Sequence, residues 1–144
     1  MKISQLSVFI ENKPGQLSVP CRALADAGIN ILTMALADTD QFGILRLIVQ
    51  DWEKARDVLS ATGCVVKVNE VVTVDVADRP GGLASVLETI EAAGINIEYM
   101  YPFRTKGGPN IVFRFDDADA AIELLQSKGI HVVEADEVFR QIDD

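Results

Sequence analysis

The stretch Pro14-Gly15-Gln16-Leu17, followed after ten residues by Gly28-Ile29-Asn30-Ile31, recurs as Pro80-Gly81-Gly82-Leu83 and, after another ten, Gly94-Ile95-Asn96-Ile97. Each residue of the second set lies 66 positions after its partner in the first. A Pro-Gly turn, a helix-length gap and a glycine exit into an extended run make one supersecondary unit, and two copies at a constant offset make a tandem repeat. In 144 residues that leaves room for two small modules and nothing else. The expected domains are 1–68 and 69–144. Domains near that size bury only about 60% of their unfolded surface. The copies are therefore expected to pack on each other, and the pair to associate as a homodimer.

Along the first copy, Ile3, Leu6, Val8 and Ile10 alternate with Ser4, Ser7 and Phe9 as a half-buried strand does. Asn12-Lys13-Pro14-Gly15 breaks it, with Asn12 as a cap and Pro14 suited to the first helical position, where a missing N–H costs nothing. Leu17, Cys21, Leu24 and Gly28 then fall on one helical face, and Gly28 supplies a left-handed cap. Ile29 to Ala37 is a continuous apolar run, read as a central strand. A turn over Asp38–Gly43, a strand Ile44–Val49, a helix Trp52–Thr62 with Ala55, Val58 and Leu59 inward, and a strand Cys64–Val68 complete a β-α-β-β-α-β order.

The second copy repeats it. Val72, Val74 and Val76 answer Leu6, Val8 and Ile10, while Leu83, Leu87, Ile90 and Gly94 answer the helix face. Met100 answers Met34, and His131–Val138 is expected as the last strand. No linker separates the copies, so the last strand of one is expected to run straight into the first strand of the other. The fold class is α+β: two ferredoxin-like βαββαβ repeats, antiparallel sheets with helices on one face.

Charge and residue inventory exclude several functions. The net charge is −9, carried entirely by residues 69–144, with no basic stripe, which argues against nucleic acid and anionic membranes as partners. The chain has no transmembrane-length apolar run and no signal-peptide core, and the expected location is cytoplasmic. Cys21 and Cys64 lack metal or redox spacing and read as buried thiols. The single histidine, His131, has no nucleophile fixed beside it, so no catalytic residue is assigned and no enzyme is expected. Asp116-Asp117-Ala118-Asp119 opens a helix, where carboxylates favour the dipole; it is not read as a metal site. Lys106-Gly107-Gly108-Pro109 lacks the helix start of a P-loop. No metal and no cofactor is expected.

The repeated turn remains. Spacing alone is satisfied by a purely structural role, because any strand–helix–strand connection favours Pro-Gly before the helix and glycine after it. A binding role adds physics. Glycine lets the backbone approach a ligand, and first-turn amides with the positive dipole end favour a carboxylate. Asn30 and Asn96, read as adjacent in space to the turn, offer an amide that accepts from an ammonium. The two together describe a free α-amino acid.

These residues resemble the ACT domain, a small regulatory module whose pattern is an Asp/Asn-Arg/Lys-Pro-Gly-x-Leu turn followed by Gly-Ile-Asn-Ile. The chain carries it as Asn12-Lys13-Pro14-Gly15-Gln16-Leu17 with Asn30 and Ile31, and as Asp78-Arg79-Pro80-Gly81-Gly82-Leu83 with Asn96 and Ile97. The resemblance covers the whole chain and implies amino-acid binding between paired ACT domains, the turn of one facing strand two of another. Selectivity would then fall to Leu32, Met34, Glu98 and Met100. ACT domains usually regulate an attached enzyme. No catalytic domain fits in these residues, so the implied partners are a small-molecule effector and a separate metabolic enzyme. The alternative is a regulatory subunit that docks on a biosynthetic enzyme without a working ligand site.

Overall fold

The computed structural model describes residues 1–38, 41–105 and 108–140. The expected turn Asp38–Gly43, the glycine-rich stretch Lys106–Pro109 and the end of domain 69–144 lie partly outside the described residues. The elements are β1 (Lys2–Glu11), α1 (Ser18–Asp26), β2 (Thr33–Asp38), β3 (Phe42–Ile48), α2 (Trp52–Ala61) and β4 (Val65–Asp75), then α3 (Gly82–Ala92), β5 (Ile97–Thr105), β6 (Gly108–Phe115), α4 (Ala118–Ser127), β7 (Val132–Val133) and α5 (Ala135–Arg140). The expected direct run between copies is there: β4 is one strand of 11 residues that ends the first βαββαβ order and opens the second. Contacts divide the chain into one unit of Ser4–Asn69 and another of Met1–Ile3 with the chain from Glu70 onward.

In the first unit the strand order is β2-β3-β1-β4. β1 runs antiparallel to β3, with Leu6 opposite Leu47 and Val8 opposite Leu45. Period-2 alternation puts Leu6, Val8 and Ile10 on one face with Leu45 and Leu47, where they meet Leu24 of α1 and Ala55 and Leu59 of α2 in a single core. Both helices therefore cover the same face, and each fully buried leucine contributes roughly 1.5–3 kcal/mol. The opposite face of β1 carries Ile3 and Phe9 with two buried polar residues between them, Gln5 Nε2 donating to Ser7 Oγ at 3.0 Å and Ser7 Oγ to Asn69 Oδ1 at 2.8 Å. α2 starts at Asp51, whose carboxylate accepts from the Lys54 N–H at 3.2 Å.

Two expectations fail here. The run Ile29–Ala37 is not a central strand: β2 begins only at Thr33 and lies at the sheet edge, leaving Met34 and Leu36 48% and 50% exposed. A continuous apolar run marks a strand covered on both faces, but an edge strand beyond the reach of the helices carries one equally well. The cysteines are half-buried rather than buried, and Thr62 Oγ1 donates to Cys64 Sγ at 3.2 Å.

The second unit has the order β7-β4-β6-β5. Its core joins Val72 and Val74 to Val86 and Ile90 of α3, Ala121 and Leu125 of α4, and the stacked rings of Phe113 and Phe115, 5.3 Å apart. On the two helix faces Leu24 and Ile90 are buried as expected, but their buried neighbours are one residue before the expected Cys21 and Leu87. These neighbours are Pro20 in α1 and Val86 in α3; Leu17 is exposed. The acidic run does open a helix: Asp117 accepts from the Ala120 N–H at 3.1 Å. Lys2 joins this unit through ion pairs with Asp119 at 3.1 Å and Glu70 at 3.4 Å. At its start α3 permits only glycine. A Cβ on Gly82 would overlap the Ala77 carbonyl oxygen.

The expected strand His131–Val138 shrinks to Val132–Val133, and the chain turns into α5. Glu137 explains the switch. Its Oε1 accepts from the Glu134 N–H at 3.3 Å, capping the helix from its third position, and its Oε2 lies 3.0 Å from His131 Nε2. Val138 is fully buried and anchors the helix. The bond with Glu137 raises the His131 pKa, with Asp75 and Glu134 adding to it, and the same bond lowers that of Glu137. Burial raises Asp75, against the pull of His131.

Two outcomes follow from this geometry. Gly82→Ala should lower stability by about 1–3 kcal/mol through the clash, read in denaturant melts. Gln16→Ala, at the matching half-buried position of the first copy, should stay within about 0.5 kcal/mol. For the His131–Glu137 pair the signs run opposite ways. The raised histidine contributes fully below its unfolded value of about 6.5 and loses its contribution as pH rises through the folded value. The lowered glutamate contributes above about 4.5 and loses its share as pH falls through its folded value. Glu137→Gln should therefore lower the melting temperature most near pH 5.5 and scarcely at all near pH 9, with at most about 1 kcal/mol at stake for so exposed a pair. A pH-independent difference would contradict the assignment.

Candidate functional site

The two Pro-Gly turns share a backbone plan. After β1, Lys13 N–H donates to the Glu11 carbonyl at 3.0 Å and Gln16 N–H to the Lys13 carbonyl at 3.4 Å. After β4, Arg79 N–H donates to the Ala77 carbonyl at 2.9 Å and Gly82 N–H to the Arg79 carbonyl at 3.0 Å. Gly15 and Gly81 occupy the same position in the two turns, at φ +88° and +86°, where a side chain is strained.

The helix starts differ. Gly81 is the residue before α3, which begins directly at Gly82, with Ser85 N–H bonded to the Gly81 carbonyl at 3.0 Å. Neither Pro14 nor Asn12 starts α1, contrary to expectation. That helix begins at Ser18, and Leu17 stands before it with no side-chain cap. Pro20 sets the delay. It has no N–H to give to Gln16, so the first helical bond runs from Cys21 N–H to the Leu17 carbonyl at 3.4 Å. Val86 occupies the matching place in α3 and imposes no such limit. Only the second turn therefore delivers its glycine straight into a helix N-terminus.

Each turn lines its own cleft. Beside the first is a space of about 360 Å³ walled by Phe9, Glu11, Gln16, Val19 and Thr62–Val65. Beside the second is one of about 380 Å³ walled by Val76, Ala77, Asp78, Arg79, Pro80, Leu83, Pro109 and Ile111. Of these walls, Val76, Ala77, Pro109 and Ile111 were not read as site residues from the sequence. The one signal available was Ala77, standing where the first copy has Glu11.

Asn30 and Asn96 are not beside their own turns. The end of β1 pairs through Ile10 with Gly43, and Gly43 pairs with Asp38 at the end of β2; the start of β2, at Thr33, pairs with Ile48. Asn30 therefore lies at the opposite end of the unit from Pro14-Gly15. The second unit repeats this, with Ile97 opposite Phe115 while Asp75 at the turn end is opposite Asn110. The reason is geometric: the helix between turn and asparagine carries the chain back along the strand. Asn96 is held there by its N–H to Asp116 Oδ1 at 3.0 Å and its carbonyl to the Asp116 N–H at 3.1 Å. Ile31 and Ile97 pack against their respective cores.

Electrostatically the turns are unlike. Lys13 Nζ lies 2.9 Å from Glu11 Oε2, both on the surface. Asp78 and Arg79 are exposed, and among the described residues neither side chain has an ion-pair or hydrogen-bond partner. Among the described residues no group of three or more His, Cys, Asp or Glu side chains stands together as a metal site. No described helix is long and apolar enough to cross a membrane.

The family model described as an ACT domain pair matches residues 1–142. Among solved structures, the chain is similar to protein BT0572 from Bacteroides thetaiotaomicron, at 37% identity and a TM-score of 0.89 over 96% of each chain. It shares its fold with the ligand-free regulatory subunit of aspartate kinase from Thermus thermophilus, at 20% identity and a TM-score of 0.62 over 86% of this chain and 91% of that one. The corresponding subunit from Thermus flavus gives 19% and 0.58 over 86% and 90%. No curated protein matches. With the doubled turn, the βαββαβ order in both units and a match across nearly the full length, the chain belongs to the ACT domain pair family.

Proposed function

We propose that this protein is a non-enzymatic regulator that binds a free amino acid at a Pro-Gly turn and acts on a separate enzyme of amino-acid metabolism. Its ACT domains are 1–68 and 69–144, and it works as a homodimer in the cytoplasm. The effector sits where ACT units pair. One unit contributes its turn, Asn12–Leu17 or Asp78–Leu83, and the other the Asn30-Ile31 or Asn96-Ile97 end. A division of labour between units is needed because turn and asparagine lie at opposite ends of any one unit. The regulatory subunits of aspartate kinase, which share the fold, offer the model for action on an enzyme carried on another chain.

The observation that carries this reading is that the second turn, with its left-handed glycine leading straight into a helix start, borders an open cleft of about 380 Å³. Effector binding stabilises one packing of units over another by no more than the ligand's differential affinity for the two.

A thermal-shift panel with the twenty amino acids tests it. A ligand present at 100 times its Kd adds about 2.7 kcal/mol to stability, enough to raise the melting temperature by several degrees. A melting temperature unmoved by every amino acid would contradict effector binding and leave a docking subunit in its place.

A further inference from the structure

We propose that only the second unit holds the amino acid, in the cleft beside Asp78-Arg79, and that the ligand's side chain is aliphatic. This rests on the amino-acid reading above and says which copy binds and what it selects. The walls of the cleft are hydrocarbon: Val76, Ala77, Pro80, Leu83, Pro109 and Ile111. None of these side chains offers a hydroxyl, amide or charge. A polar ligand side chain finds no side-chain partner among these walls, whereas an aliphatic one covers apolar surface on both sides.

The rim carries the opposite character. Asp78 and Arg79 are neighbours on the turn, exposed, and without side-chain partners among the described residues. A zwitterion matches them term for term. Its ammonium goes to the Asp78 carboxylate, and its carboxylate to the planar fork of the Arg79 guanidinium, which binds carboxylates with two parallel hydrogen bonds. Two unneutralised opposite charges at the mouth of an apolar cleft are the complement of an α-amino acid with a hydrocarbon side chain.

The first copy has apolar walls as well, with Phe9, Ile10, Val19 and Val65, but lacks the pair of free charges. Glu11 replaces Ala77 and pairs with Lys13 at 2.9 Å, so the cation matching Arg79 is already neutralised. Asn12 replaces Asp78, removing the charge that would meet the ammonium. Its cleft has different walls, with Glu11, Gln16 and Thr62 among them. A ligand carboxylate there meets Glu11 first.

Isothermal titration of the intact protein with valine, isoleucine and leucine, beside serine, aspartate and lysine, decides it. The expected result is one ligand per chain and tighter binding of the aliphatic three. Arg79→Ala and Asp78→Ala should each weaken binding at least tenfold, and Arg79→Lys should restore part of the loss. Both side chains are exposed, so unchanged circular dichroism is expected of the variants. Two ligands per chain, a preference for polar amino acids, or full affinity in Arg79→Ala would each overturn this assignment while leaving amino-acid binding intact. No heat with any of the six would overturn the assignment, and with a negative twenty-member thermal panel the reading beneath it as well.

Discussion

Each unit depends on reversing the chain between the end of a buried strand and the start of a helix that must lie back over that strand. Few residues are available, and every backbone amide in the reversal needs a partner. A left-handed glycine meets the demand in both copies, at Gly15 and Gly81. The short amide-to-carbonyl bonds on either side of it are the same in the two turns. Once that reversal is fixed, the helix covers the face carrying Leu6, Val8 and Ile10 in one unit and Val72 and Val74 in the other, and the cores follow.

On that shared plan the copies have diverged at a handful of positions with physical consequences. Pro20 against Val86 sets where the helix can begin. Gln16 against Gly82 decides how close the helix start comes to the strand end, since at Gly82 the Ala77 carbonyl occupies the space of a Cβ. Glu11 against Ala77 decides whether the neighbouring cation is neutralised within the turn. Pro20, Val86 and Gly82 are buried while Gln16, Glu11 and Ala77 are not, and in both units the helix still covers the same strand face. Glu11, Gln16 and Ala77 line the clefts beside the turns.

The sequence made the repeat and the βαββαβ order legible because glycines needed at positive φ recur with it: Gly28 and Gly94, Gly63 and Gly129, Gly15 and Gly81. The acidic start of α4 was legible too, and Asp117 caps it, whereas the cap expected at Asn12 is not formed because α1 begins later. What escaped was whatever depended on the third dimension. The run Ile29–Ala37 gave no sign of being at an edge, because hydropathy records what a strand could bury and not what covers it. The last strand gave way to α5 through Glu137, a capping contact easily lost within an alternating stretch. Asn30 and Asn96 are close to their turns along the chain by one helix length. That same helix is what carries them to the far end of the unit.

The most direct measurement is a two-dimensional amide NMR titration of the uniformly labelled protein with isoleucine. The account predicts saturable shifts centred on the amides of Arg79, Gly81, Gly82 and Leu83, with the matching amides of Lys13, Gly15, Gln16 and Leu17 moving far less. Saturable shifts confined to residues away from the 78–83 turn would contradict it.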